Sequence, residues 1–117
     1  MGRKHHELRV WQDGIALVKL VYSVTASFPK EELFGLTSQM RRAAISVPVN
    51  VAEGAARSTA REFAHFLTVA RGSLSELETL LVISNELGFV VNGMELEGAI
   101  QKLFGGLGSL IKVEREG

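Results

Sequence analysis

The 117-residue sequence contains no cysteine, and this absence excludes disulfide bonds, thiolate nucleophiles and metal sites built on cysteine. Long hydrophobic runs are also lacking. The longest nearly apolar stretch, residues 14–24, contains Lys19 and is too short to span a bilayer of about 30 Å. Residues 1–10 are rich in charge and no uninterrupted apolar segment follows them, so no targeting signal is evident. We therefore expect a cytoplasmic protein without a membrane segment.

The chain has no excess of charge of either sign, because 13 basic residues balance 13 acidic ones. A neutral chain has no global electrostatic attraction to nucleic acid or to membranes. Hydrophobic residues make up 46% of the sequence and charged residues 22%, which is typical of a globular protein. The length allows one domain, which we expect to cover residues 1–117.

Sequences that would support catalysis or metal binding are absent. The three histidines, at positions 5, 6 and 65, form no His-x-x-x-His or Glu-x-x-His pattern, and the di-iron ligand set of helical bundles is therefore missing. No serine lies in a Gly-x-Ser-x-Gly elbow, and no glycine-rich loop follows a strand. We expect no enzymatic activity, no cofactor and no metal.

The apolar spacing and the capping signals predict four helices, at about 8–27, 36–57, 60–87 and 93–112. Pro29 ends the first helix, Thr59 and Glu62 have the spacing of a capping box, and Gly88 supplies a stop. Strand signals are poor and the connections are short. The predicted fold is all-α, an antiparallel up-and-down four-helix bundle. The apolar stripe predicted on its first helix consists of Trp11, Ile15, Val18, Tyr22 and Thr25.

The second predicted helix carries two apolar stripes. The expected core stripe consists of Met40, Ala44, Val47, Val51 and Ala55. The second stripe consists of Ile45, Val49, Ala52 and Ala56. One stripe is enough for a helix of a monomeric bundle, so the second indicates burial against another subunit. The alternative is that these small side chains line a partly exposed flank.

Polar residues interrupt the apolar faces of the second and third helices. Ser73 and Glu76 lie in an otherwise apolar row, where a carboxylate is costly unless it is paired. We expect Asn50, Glu53, Ser73 and Glu76 to form hydrogen bonds between these helices or between subunits. The alternative for Glu76 is that its side chain reaches solvent.

Arginine is the only basic residue type between positions 32 and 101. The five arginines are Arg41, Arg42, Arg57, Arg61 and Arg71. The planar guanidinium group suits either phosphate or carboxylate, so these residues are candidates for a nucleic-acid surface. A ring of subunits would repeat these arginines in every subunit and so combine several weak sites into one basic surface. The alternative is structural ion pairing with Glu53, Glu62 and Glu76.

Two segments resemble a known family. The run 46–54 (SVPVNVAEG), followed by Glu62-Phe63 and by the run 70–78 (ARGSLSELE), is similar to the bacterial 23S rRNA intervening-sequence proteins. The resemblance covers residues 8–110 and implies a small cytoplasmic four-helix bundle, a homopentamer with no known enzymatic activity.

The same resemblance suggests partners. The accessory variability protein of diversity-generating retroelements is similar in fold, and there a basic pentamer binds nucleic acid and a reverse transcriptase. The present chain differs from it in its neutral net charge. Two hypotheses follow: a homo-oligomer that binds RNA, DNA or a nucleic-acid-processing protein such as a reverse transcriptase, or an assembly scaffold for a protein partner without nucleic-acid binding.

Overall fold

The computed structural model describes residues 4–116, which form four α-helices and no β-strand. The helices are α1 (Arg9–Thr25), α2 (Leu36–Ala55), α3 (Ala60–Glu86) and α4 (Met94–Glu116), and short 3₁₀ turns occupy Lys4–Glu7 and Lys30–Glu32. The prediction of an all-α fold with four helices is confirmed. Residues 1–3 and 117, which belong to the expected domain, lie outside the described residues.

The ends of α3 are capped by the residues that the sequence indicates. The Thr59 hydroxyl accepts a hydrogen bond of 3.1 Å from the backbone N–H of Glu62, which satisfies one free donor of the first turn. At the other end Gly88 has a φ of 77°, a conformation that favours glycine. The backbone N–H of Phe89 then donates to the carbonyl of Ser84 at 3.0 Å and closes the helix.

Contacts between helices follow a consistent order along the chain. In α2 and α3, the beginning of one helix meets the end of the other, since Met40 contacts Ser84 and Gly54 lies against Phe63. The first and last helices also pack together, with Lys102 3.6 Å from Asp13. This order is consistent with an antiparallel up-and-down bundle, and the described chain measures 45 × 26 × 21 Å.

The core lies between the four helices. All five residues of the core stripe predicted for α2 are buried, as are the leucines at 67, 74, 77 and 81 of α3. Among residues 4–116, no helix combines the length and apolar character that crossing a membrane requires.

The stripe predicted for the first helix is only partly buried. Thr25 is buried and Trp11 and Val18 are half-buried against the core, but Ile15 and Tyr22 are exposed. The buried residues of α1 are Val10, Gly14, Leu17, Val21 and Thr25. The Gly14 side of α1 packs closely against α2. A Cβ atom at Gly14 would lie only 3.1 Å from Cβ of Pro48, which lies inside α2.

Candidate assembly and nucleic-acid surfaces

An apolar groove runs along the outer side of α1 and α2. The second stripe of α2 forms one wall, where Val49 is 51% exposed and Ile45 is 39% exposed. Trp11, Ile15 and Val18 form the other wall, and the groove has a volume of about 320 Å³. Three residues of the stripe predicted for the first helix therefore line one surface with residues of the second stripe of α2. We call it the α1–α2 groove.

A chain of hydrogen bonds connects α2 and α3. The hydroxyl oxygens of Ser46 and Ser73 are 2.8 Å apart. The side-chain amide of Asn50 donates to the Ser46 carbonyl at 2.8 Å and to the Ser46 hydroxyl at 2.9 Å. Ser73 and Asn50, both predicted to be structural polar residues, thus meet at Ser46. Ser46 was not among the predicted site residues, although it lies on the polar face of α2.

The two glutamates of the predicted polar set lie in more open positions. Glu53 is exposed and its carboxylate is 3.4 Å from Nη2 of Arg57, which lies just beyond the end of α2. Glu76 is also exposed, and in residues 4–116 no cation lies within 4.0 Å of its carboxylate. It lines a shallow groove together with Arg42, Ser46 and Ser73.

Two of the five candidate arginines interact within the chain. The guanidinium carbon of Arg41 lies 4.3 Å from the centre of the Tyr22 ring, and its Nε donates to the Thr25 hydroxyl at 3.0 Å. Arg57 lies 4.7 Å over the Phe66 ring in addition to its ion pair. Cation–π contacts of this kind hold the guanidinium groups against the bundle.

The other three arginines have no carboxylate within 4.0 Å in the described part of the chain. Arg42 is exposed in the groove between α2 and α3, Arg61 is exposed at the start of α3, and Arg71 is half-buried.

A second basic surface lies between α3 and α4. Arg61 and His65 of α3 face Arg115 at the end of α4 across an open groove of about 570 Å³, which Glu114 also lines. We call it the α3–α4 groove. Arg115 was not among the predicted site residues. The signal that could have identified it is the bundle topology, because the start of α3 and the end of α4 meet at one end.

Within residues 4–116, no group of three or more histidine, aspartate or glutamate side chains is placed to hold a metal ion.

Comparison with known proteins connects the chain to one family. The sequence model for the 23S rRNA-intervening sequence protein matches residues 6–105. The match extends over α1, α2 and α3 and includes the Ser46–Ser73 contact, but it ends before Arg115. No curated protein sequence matches the chain at a significant level.

Proposed function

The chain belongs to the 23S rRNA-intervening sequence protein family, and we propose that it acts as a non-enzymatic homo-oligomer that binds nucleic acid. In this proposal the subunit is an antiparallel up-and-down bundle in the bacterial cytoplasm, and five copies form a closed ring. The number five is what the resemblance to this family implies.

The α1–α2 groove is the observation that supports assembly into an oligomer. Contiguous apolar surface of this kind on a small protein is typical of a site covered by another protein. Burying it stabilises a complex by roughly 25 cal/mol for each Å² removed from water. Lys19 is the only charged side chain in its lining, so little desolvation cost opposes burial.

A closed ring needs a second, different surface on each subunit, because its interfaces join one patch to another. The outer side of α3 is the surface that we assign to this role. Val69 and Ile83 are exposed there, on the side of α3 that holds Ser73.

Nucleic-acid binding is supported by the α3–α4 groove. Arg61 and Arg115 present two guanidinium groups to the same open space, and neither has a carboxylate within 4.0 Å among the described residues. Two arginines give a weak phosphate site, but a ring repeats the site in every subunit and multiplies its affinity. Contacts of this type bind the backbone and tolerate any base sequence.

Two measurements test the proposal. Light scattering on the purified chain at micromolar concentration is expected to give the mass of a closed oligomer, and a monomer mass would contradict the assembly. Filter binding of single-stranded RNA and DNA is expected to weaken from low to moderate salt, because phosphate contacts release counterions. An oligomer that binds no nucleic acid at low salt would instead support the second hypothesis, a scaffold for a protein partner.

A further inference from the structure

One end of the bundle exposes an unusual number of large apolar side chains. Phe34 is 93% exposed, Val91 is 86% exposed and Met94 is 80% exposed. Leu33 and Leu87 are each at least half exposed. Single exposed hydrophobic residues are common on protein surfaces, but a group of five on one end indicates an interaction site. We call these five residues the apolar end.

Contacts within the chain bring the five residues to the same end. The connection between α1 and α2 holds Leu33 and Phe34, and the connection between α3 and α4 holds Val91. The two connections adjoin, since the ring centres of Phe28 and Phe89 are 5.9 Å apart. Val91 also lines a groove with the last turn of α1.

Several carboxylates lie on the elements that form the apolar end. The exposed acidic side chains at this end are Glu31, Glu86, Glu95 and Glu97. Lys30 is the exposed cation nearest to them in sequence, and no ion pair within 4.0 Å neutralises these carboxylates in the described part of the chain. The end therefore combines apolar contact area with negative charge.

We propose that the apolar end binds an amphipathic helix of a partner protein, one that carries lysine or arginine on both sides of an apolar stripe. An apolar stripe can cover Phe34, Val91 and Met94, while flanking cations meet the carboxylates of this end. The end is 26 Å by 21 Å across, which a helix of roughly 14–17 residues spans. Two acidic ends repel each other and an anionic membrane repels them as well, so charge favours a basic partner over a second copy or a lipid surface.

The experiment uses two fluorescein-labelled helical peptides of 16 residues with identical leucine positions, one with lysine and one with glutamate at the flanking positions. The lysine peptide is expected to bind the full chain at least tenfold more tightly than the glutamate peptide. The variant Glu86→Lys/Glu95→Lys is expected to reverse this preference. Equal affinity of the wild-type chain for the two peptides would overturn the proposal. Equal affinity of the lysine peptide for the wild-type chain and for the Glu86→Lys/Glu95→Lys variant would also overturn it.

A second pair of variants tests the apolar contact. Phe34→Ser is expected to lower the affinity for the lysine peptide by about tenfold, because a well-packed aromatic side chain contributes strongly to the stability of an interface. Val113→Ser is the control, since Val113 is 60% exposed at the other end of the bundle and should leave the affinity unchanged. Light scattering on Phe34→Ser should give the wild-type mass. A lower mass would show that the apolar end joins copies of the chain, which also overturns the proposal.

Discussion

The hydroxyl groups of Ser46 and Ser73 lie 2.8 Å apart and join α2 to α3 near the middle of both helices. Asn50 donates a second hydrogen bond to the Ser46 hydroxyl, so the contact is part of a short polar chain. A hydrogen bond between two half-buried side chains fixes the register of two helices that apolar packing alone would allow to slide. The same bond lies beside the outer surface of α3 that we assign to assembly.

A double-mutant cycle measures this bond. Ser46→Ala, Ser73→Ala and the double variant are expected to show a coupling free energy of about 0.5–1.5 kcal/mol in urea unfolding, the usual net value of an internal hydrogen bond. Ser46→Ala should cost more than Ser73→Ala, because it also removes an acceptor of Asn50. Additive effects of the two substitutions would show that the hydroxyls do not interact in solution.

Close packing at Gly54 gives a second prediction. A Cβ atom there would lie 2.8 Å from Cβ of Phe66 and 3.2 Å from the Phe63 carbonyl oxygen, so Gly54→Ala forces α3 away from α2. We expect a loss of about 1–3 kcal/mol in the free energy of unfolding.

Gly105→Ala is the matched control for this substitution. Gly105 also lies inside a helix and is exposed, and a Cβ atom there would meet no other atom within 4 Å. Alanine has the higher helix propensity, so this variant should gain up to about 1 kcal/mol. Thermal or urea unfolding of both variants checks the pair, and equal changes in the two would contradict the packing argument.

Sequence periodicity predicted the core stripe of α2, whose five residues are all buried. It was less successful for α1, where a second stripe, which includes Leu17 and Val21, is the fully buried one. On that side of α1, Gly14 lies close to Pro48, and this contact joins residues on different helices. A one-dimensional pattern carries no information about such a pairing.

The candidate surfaces were also predictable only in part. The second stripe of α2 was predictable from spacing, and its residues Ile45 and Val49 are exposed in the structure. The grouping of Arg61 with Arg115 was not predictable, since it depends on which helix ends meet. The contacts of Arg41 were also not predictable, because Tyr22 and Thr25 belong to another helix.

Assembly is tested by placing a charge in the α1–α2 groove. Val49→Asp introduces a carboxylate into the surface that we propose to be buried between subunits, where an unpaired charge is strongly unfavourable. We expect light scattering to show dissociation into monomers that keep their helical content by circular dichroism. Val113→Asp is the control at a valine that is also more than half exposed, and it should retain the wild-type mass. An unchanged mass for Val49→Asp would exclude the groove as the interface.

The nucleic-acid surface is tested by removing both arginines of the α3–α4 groove. Arg61→Ala/Arg115→Ala is expected to weaken filter binding of single-stranded RNA at low salt. The slope of log affinity against log salt should fall by about 0.7 for each phosphate that is no longer neutralised. Both side chains are exposed and make no ion pair in the described part of the chain, so the variant should fold and assemble normally.

The control for this variant is Lys30→Ala/Lys112→Ala, which removes the same net charge from exposed positions outside the groove. If affinity depended only on the total charge of the oligomer, the two double variants would weaken it equally. A local phosphate site predicts that only the arginine variant changes the salt slope. Arg41→Ala is a further comparison. Because Arg41 contacts Tyr22 and Thr25, this variant should lower the melting temperature and leave the slope of log affinity against log salt unchanged. RNA binding that disappears in the lysine variant, or is retained with a wild-type slope in the arginine variant, would remove the α3–α4 groove from the mechanism.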